Sequence, residues 1–169
     1  GGVFIASYTA PIFNNVNILN NNSHEAGALW LENSNHYNTQ ITFNNCSIVQ
    51  NTADEYAGVR LSTEMPVTFN NCFFSDNEVI SDYGQNSAFY IGSPGSSPGK
   101  VTIKNSIFRD NKFNSNNDNQ NKSVIFTYSS NLELSNIILD SNDCSDPYGD
   151  FSYVIRCEAQ HDSDSLIFN

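Results

Sequence analysis

Residues 41–51 read ITFNNCSIVQN, and this stretch decides the fold. Apolar residues alternate on each side of Asn45, and asparagine interrupts the run where a straight strand would continue. Five copies of the pattern follow one another at intervals of 30, 26, 34 and 31 residues. Position 0 is held by Asn15, Asn45, Asn71, Asn105 and Asn136, and a second asparagine follows six residues later at Asn21, Asn51, Asn77, Asn111 and Asn142. A fixed recurrence of this length is typical of solenoid proteins.

The apolar positions around each asparagine predict a corner. Ile41 and Phe43, at positions −4 and −2, share one face of a strand because side chains alternate with a period of two. Cys46 and Ile48, at +1 and +3, share a face of the opposite parity. A straight strand cannot bury both pairs on one side, so the chain must bend at position 0. Asparagine suits the bend because it tolerates the left-handed region, and stacked amides form a ladder with steps of about 4.8 Å.

A third short segment, rich in β-branched and aromatic residues, precedes each corner. These segments are GVFIAS (2–7), ALWLEN (28–33), GVRLST (58–63), SAFYIGS (87–93) and SVIFTYS (123–129). Three strands and about 30 residues per copy predict an all-β parallel β-helix of five to six turns. A sandwich of hairpins is the competing all-β fold, but its turns would not repeat one corner asparagine per cycle. We interpret residues 1–169 as a single β-helix segment, an excerpt of a longer chain.

The repeat resembles two groups of known proteins. It looks like the right-handed parallel β-helices of the pectin-lyase-like superfamily, many of which carry an asparagine ladder at a corner. It also resembles the repeats of polymorphic outer-membrane-type surface proteins, which use FxxN and GGA[ILV] motifs. FSDN at 74–77 and FRDN at 108–111 match the first motif, and 18–21, 48–51 and 139–142 are relaxed versions. GAL at 27–29 and GV at 58–59 resemble the second without its double glycine.

Composition excludes several classes of partner. The 169 residues contain 18 Asp and Glu against 7 Lys and Arg, a formal net charge of −11. Such a polyanion repels nucleic acid and anionic membrane surfaces. No apolar run approaches the roughly 18 residues of a membrane span, so we expect no membrane insertion by this segment.

The polar residues predict no catalytic set and no cofactor. The resemblance to pectin-lyase-like enzymes implies clustered acids or patterns such as NTD, DD, GHG and RIK, which the sequence lacks. His24, His36 and His161 occupy unrelated repeat positions, so we interpret them as isolated loop residues. A Ca²⁺ site is the one cofactor alternative, with oxygen ligands from Asp140, Asp143, Asp146 and Asp150, but their spacing matches no EF-hand and favours a solvated acidic loop.

The outward positions of the second strand predict a candidate glycan-contact face. Position −3 carries Thr42, Thr68 and Thr102 in consecutive copies. Position −1 carries asparagine in the first three copies, so stacking makes a flat face of hydroxyls and amides. Glycan contact and ice contact are the functional alternatives to the ordinary preference of threonine for exposed strands. Trp30 is interpreted as surface packing, with stacking on a sugar ring as its alternative.

Cysteines and sequons bear on the compartment. Cys46 and Cys72 both hold position +1, close enough when stacked for a disulfide, although stacked thiols also serve as apolar core residues. Cys144 and Cys157 are the second candidate pair, and either bond would imply an oxidising compartment. Asn21, Asn45 and Asn121 head possible N-glycosylation sequons.

These observations favour a non-catalytic structural or adhesive β-helix module of an extracellular or cell-surface protein. Its expected partners are further β-helix turns, or copies of itself end to end in a filament, and glycans. The alternative is a carbohydrate-active enzyme, a polysaccharide lyase or glycoside hydrolase, of pectin-lyase-like fold.

Overall fold

The computed structural model describes residues 1–6, 9–33, 39–80, 86–92, 99–113, 122–128, 131–144, 152–158 and 165–169, and all regular structure in these ranges is β-strand. In chain order the strands are β1 (Val3–Ala6), β2 (Ile12–Asn14), β3 (Asn17–Leu19), β4 (Asn22–Ser23), β5 (Leu29–Asn33), β6 (Ile41–Asn44), β7 (Ser47–Val49), β8 (Thr52–Ala53), β9 (Tyr56–Thr63), β10 (Val67–Asn70), β11 (Phe73–Ser75), β12 (Glu78–Val79), β13 (Asn86–Ile91), β14 (Val101–Arg109), β15 (Lys112–Phe113), β16 (Lys122–Tyr128), β17 (Asn131–Asp140), β18 (Ser152–Glu158) and β19 (Ser165–Phe168).

The strands stack into three parallel sheets that wind into a β-solenoid. The first sheet has the order β1-β5-β9-β13-β16-β18, and the third has the order β15-β12-β8-β4. The second sheet contains both the strands before the predicted corner and the strands after it. These two sets form one sheet because β14 and β17 each continue through the corner without a break. Each turn therefore pairs with the turn one repeat earlier, as the periodicity predicts.

The structure differs from the prediction in two details. The described residues form about four turns with strands on all three sheets, fewer than the predicted five to six, because the third sheet contains four strands. Each of these turns also contains a short strand of two residues after the second asparagine, in addition to the three strands predicted. Two residues are too few for an alternating pattern to be visible in sequence.

The predicted bend at position 0 is confirmed. Asn15, Asn45, Asn71, Asn105 and Asn136 have φ angles of 57°, 52°, 54°, 52° and 51°, all in the left-handed region. A second left-handed residue precedes the second asparagine in each copy, at Asn20, Gln50, Asp76, Asp110 and Ser141. The chain therefore makes two sharp bends within six residues, which turn it from the second strand towards the third sheet.

The core is built from stacked like residues, with the parity change that the pattern predicts. Phe43 and Phe69, which precede the corner, and Phe74, which follows it, are all almost fully buried. Phe13, Phe43 and Phe69 stack with ring centroids 4.7 Å apart and nearly parallel planes. The 4.7 Å spacing of the strands is thus also a good distance for offset ring stacking, so one geometry satisfies backbone and side chains together.

Candidate glycan-contact face and asparagine ladders

Thr42, Thr68 and Thr102 lie opposite one another on β6, β10 and β14, as predicted. Asn14, Asn44 and Asn70 are likewise in register on β2, β6 and β10. We call these six residues the hydroxyl–amide face. All six point away from the core and are exposed or half-buried, so the second sheet presents two parallel rows of hydrogen-bonding groups to solvent.

The hydroxyl–amide face is partly ordered by its own hydrogen bonds. Asn44 Nδ2 donates to Asn14 Oδ1 at 2.9 Å, and Asn105 Nδ2 donates to Asn70 Oδ1 at 3.1 Å. Gln40 donates to the Thr68 hydroxyl. Each primary amide has two N–H donors and two acceptor lone pairs. One bond per amide therefore leaves donors and acceptors directed to solvent in a regular array.

The face carries no charge, although the chain carries −11. Charged residues enter the two columns at Lys104 and Glu133, which border the face beside Asn70 and Thr102. Glu133 pairs with Lys100 at 2.6 Å, and that hydrogen bond lowers the pKa of the Glu133 carboxyl. An uncharged array of hydroxyls and amides suits neutral, hydroxyl-rich ligands rather than ions.

The second asparagines form a buried ladder, which we call the inner ladder (Asn21, Asn51, Asn77, Asn111 and Asn142). Asn51, Asn77 and Asn111 have no solvent exposure. The Nδ2 of each of the first four donates to the Oδ1 of the next asparagine at 2.8–3.0 Å. The Oδ1 of each of the last four also accepts from a backbone N–H of the neighbouring turn. Asn77 Nδ2 additionally donates to Ile48 O at 2.9 Å. The inner ladder thereby pairs backbone groups that the bend leaves without strand partners.

The asparagines at position 0 form the outer ladder (Asn15, Asn45, Asn71, Asn105 and Asn136), and it is solvent-exposed. Asn71 Nδ2 donates to Asn45 Oδ1 at 2.7 Å, and Asn136 Nδ2 donates to Asn105 Oδ1 at 3.0 Å. Asn105 Nδ2 also donates to Asn70 Oδ1, which lies outside the outer ladder. The prediction of stacked asparagines is therefore confirmed, but the two columns lie in different environments.

The structure contains neither predicted disulfide, and the alternative of stacked core thiols agrees with Cys46 and Cys72. Cys46, Cys72 and Cys144 are buried free thiols. Cys46 Sγ lies 3.3 Å from Asn44 O, and Cys72 Sγ lies 3.5 Å from Asn70 O. Ser106, in the same column, donates its hydroxyl to Lys104 O at 2.8 Å. In the three middle copies position +1 thus carries a small group that bonds a corner carbonyl. Burial raises the pKa of Cys72 to about 11.

Cys144 is separated from Cys157 along the solenoid. Its thiol contacts the backbone of Val124, and burial raises the pKa of Cys144 to about 11. Cys157 lies opposite Thr127 in β18. Val124 and Thr127 are three residues apart on one strand, about 10 Å, which exceeds the reach of a disulfide.

The sequons differ in their surroundings. Asn21 belongs to the inner ladder, and its Nδ2 donates to Asn51 Oδ1 and to Leu19 O. Asn45 is exposed on the outer ladder, where its Oδ1 accepts from Asn71. Asn121 lies outside the described residues. Glycosylation at all three stays a prediction, and of the two described sequons Asn45 has the more exposed side chain.

Trp30 packs on the outer side of the first sheet. The Arg60 guanidinium lies 4.6 Å from its ring centroid, and Phe4 meets it edge-on at 5.3 Å. The arrangement agrees with the packing interpretation. Sequence reasoning missed the role of Arg60, whose place in the same register column as Phe4 and Trp30 was visible once the first-sheet segments were aligned.

The histidines and acidic loop give no metal centre in the described part of the chain, where no group of three or more His, Cys, Asp or Glu is placed to hold an ion. Asp140 accepts from Arg109 Nε at 2.9 Å, so part of its carboxylate is engaged. Asp146 and Asp150, like His36 and His161, lie outside the described residues, and the Ca²⁺ alternative stays a prediction. His24 Nδ1 lies 2.6 Å from Asp54, a hydrogen bond that raises the pKa of His24.

Comparison with known proteins adds no relative. No family model, no curated protein and no solved structure matches the chain. The class that the fold defines is the parallel β-solenoid. In the described residues there is no helix with the length and apolar character of a membrane span.

Proposed function

We propose that this chain is a non-catalytic structural and adhesive β-solenoid module of an extracellular or cell-surface protein. Its working surface is the hydroxyl–amide face, which contacts glycans. The observation that carries the proposal is the register of Thr42, Thr68 and Thr102, which repeats one hydroxyl per turn on a flat, uncharged surface. The motif resemblance to polymorphic outer-membrane-type surface proteins supports placement outside the cell.

Rigidity supports an adhesive role. The inner ladder pairs each bend with the next, and the stacked phenylalanines hold the strands from the core side. A face whose groups are held in place loses little conformational entropy on binding. Repetition from turn to turn also allows several weak contacts to one polymer, which raises overall avidity.

We further propose that the partners along the solenoid axis are additional β-solenoid turns or end-to-end copies of this chain in a filament. Parallel strands of one turn are completed by hydrogen bonds from the next, and unpaired strand edges favour further pairing. Sedimentation velocity over a range of concentrations tests self-association, and a single monomeric species throughout would contradict the end-to-end copies.

Polysaccharide depletion tests the glycan contact. The chain is incubated with particles of cellulose, chitin or β-glucan, and unbound protein is measured. Replacement of Thr68 with Glu places a charge at the centre of the face, so we expect Thr68→Glu to bind about 10-fold more weakly, equivalent to about 1.4 kcal/mol. Gln50→Glu, an exposed bend residue outside the face, adds the same charge and is the matched control.

The outcomes separate the proposals. Equal binding by Thr68→Glu, Gln50→Glu and the parent chain would exclude the hydroxyl–amide face as the contact surface. Release of soluble sugar from the particles by the parent chain would instead support the polysaccharide lyase or glycoside hydrolase alternative.

A further inference from the structure

The outer surface of the second sheet changes its chemistry after the corner. Phe73 on β11 lies opposite Ile107 on β14, and both are half-buried on the outside of the solenoid. Their side chains point outward because the next residue of each strand is buried in the core. We call Phe73 and Ile107 the apolar pair. The pair lies beside the outer ladder, since each member follows a ladder residue, Asn71 or Asn105, by two positions.

The apolar pair is reached from solvent in the middle of the solenoid. The strands β7 and β17 pair with β11 and β14 on their outer sides, so the pair belongs to neither the first nor the last turn. Two residues join β10 to β11, and two join β11 to β12. The same number joins β14 to β15. Connections this short cannot fold over the pair.

The outer ladder is interrupted beside the apolar pair. Asn71 Nδ2 donates to Asn45 Oδ1, and Asn136 Nδ2 donates to Asn105 Oδ1. Between Asn71 and Asn105 the column has no such bond, because Asn105 Nδ2 donates to Asn70 Oδ1 at 3.1 Å instead. Asn71 is exposed, and no group in the described part of the chain donates to its Oδ1. The interrupted step therefore presents an acceptor to solvent next to an apolar surface.

The two amides at this step are complementary to one secondary amide. Asn71 Oδ1 can accept an N–H, and the Nδ2 of Asn105 carries two hydrogens, of which the bond to Asn70 uses one. Adjacent strands are about 4.8 Å apart, so a single amide group on the outside of the step can contact both residues. A methyl group on its carbonyl carbon then lies towards the apolar pair.

The charges around the step favour a neutral ligand. Arg109, the next outward residue of β14, is paired with Asp140 through its Nε at 2.9 Å. Asp76 and Asp110 occupy the second bend beyond the apolar pair. These carboxylates and the overall charge of −11 oppose the approach of uronic acids and sulfated sugars.

We propose that Asn71, Asn105 and the apolar pair bind the acetamido group of an N-acetylhexosamine unit in a neutral glycan. The acetamido N–H donates to Asn71 Oδ1, its carbonyl oxygen accepts from Asn105 Nδ2, and its methyl group packs on Phe73 and Ile107. A peptide also carries secondary amides, but β11 and β14 are paired on both sides and offer no open edge to a peptide strand. This inference rests on the proposed glycan contact and names its substrate class.

Matched oligosaccharides test the acetamido contact. The full chain is titrated by calorimetry with chitotetraose and with cellotetraose, which share one linkage and differ in an acetamido group or a hydroxyl on each ring. We expect the Kd for chitotetraose to be about 5- to 10-fold lower, because two hydrogen bonds and a methyl contact are added. A soluble peptidoglycan fragment carries acetamido groups together with carboxylates, and we expect it to bind more weakly than chitotetraose.

Two variants locate the contact, and a third is the control. Phe73→Ser copies Ser47, which occupies the same column one turn earlier, so the sheet accepts it. Asn71→Gly removes the acceptor but keeps the left-handed bend. Each is expected to raise the Kd for chitotetraose about 3- to 10-fold and to leave that for cellotetraose unchanged. Asn15→Gly makes the same change of residue two turns from the site and should bind chitotetraose like the parent.

Urea midpoints identify the variants that are folded at the assay temperature. If Phe73→Ser does not fold, Asn71→Gly carries the test, and the reverse also holds. A general loss of structure would weaken binding of both oligosaccharides, whereas loss of the acetamido contact weakens only that of chitotetraose.

The results distinguish this inference from the proposed function. Equal affinity for chitotetraose and cellotetraose, with Thr68→Glu weakening both, would overturn the inference and leave the proposed function in place. Chitotetraose binding that Phe73→Ser and Asn71→Gly leave unaltered, or tighter binding of the peptidoglycan fragment, would also overturn the inference. Preference for chitotetraose that Phe73→Ser removes and Thr68→Glu does not would support the inference and exclude the hydroxyl–amide face. Absence of binding to every saccharide would overturn both.

Discussion

The inner and outer ladders use the same side chain once per turn, but they lie in opposite environments. Asn51, Asn77 and Asn111 of the inner ladder are fully buried, whereas every residue of the outer ladder is exposed. An inner amide bonds to neighbouring turns through both its oxygen and its nitrogen. An outer amide makes one bond to its neighbour, in competition with water. The comparison teaches that asparagine serves two separate needs here, backbone pairing in the inner ladder and backbone conformation in the outer one.

Removal of one inner amide is expected to have the largest effect. Asn77→Ala removes the side-chain donor to Ile48 O and the side-chain acceptor of Asn51 N, whereas Asn111 Oδ1 keeps the backbone N–H of residue 77. Each unsatisfied buried group costs about 1–3 kcal/mol, so we expect the free energy of unfolding to fall by about 3–5 kcal/mol. Urea unfolding monitored by circular dichroism measures the change. A loss below about 1 kcal/mol would show that buried water replaces the amide, and would contradict a separate role for the inner ladder in backbone pairing.

A smaller effect is expected in the outer ladder, and it should depend on backbone conformation. Asn71 has φ of 54°, where alanine is strained by about 1–2 kcal/mol and glycine is not. We therefore expect Asn71→Ala to lower the free energy of unfolding by about 1–2 kcal/mol and Asn71→Gly by less. The same urea titration is the measurement. Equal losses for the two variants would mean that the exposed amide–amide bond, rather than the bend, sets the cost.

The smallest expected effect concerns an exposed pair of residues. The hydrogen bond to Asp54 raises the pKa of His24 above its ordinary 6.5. Because the folded-state pKa is the higher one, the contribution of the pair to stability is complete below pH 6.5 and is lost as the pH rises through the folded-state value. Asp54→Asn should return the pKa of His24 towards 6.5, as measured by NMR titration of its ring protons. An unchanged His24 titration would show that the pair does not form in solution.

Much of the fold was predictable, because the positions that decide it act locally. The bend at Asn45 follows from a change of parity within eight residues and from a residue type that tolerates positive φ. Stacking of Phe43 on Phe69 follows from the 26-residue interval once parallel pairing is accepted. The second bend at Gln50 was missed, because Asn20, Gln50, Asp76, Asp110 and Ser141 share no residue type that signals a left-handed conformation.

The candidate sites were less predictable. Thr42, Thr68 and Thr102 were identified because they repeat at a constant distance from the corner, so alignment of the copies is enough to place them together. The direction of the cysteine side chains was less predictable. The repeat register places Cys46 beside Cys72 correctly, but it does not show that each thiol contacts a corner carbonyl. Side-chain direction within a column depends on the groups above and below it, which alignment alone does not supply.

The sequence by itself determined the repeat, the parallel pairing and the place of the corner, since each depends on residues within one copy or on the interval between copies. Only the tertiary structure decided which asparagine column is buried. Both columns contain the same residue, six positions apart, and closure of the three sheets around the phenylalanine core encloses one of them. It also decided that Arg60 lies between Trp30 and Tyr56 with Glu25 beside it, because that contact joins separate turns. Long-range packing sets such environments, and no single copy of the repeat contains the information.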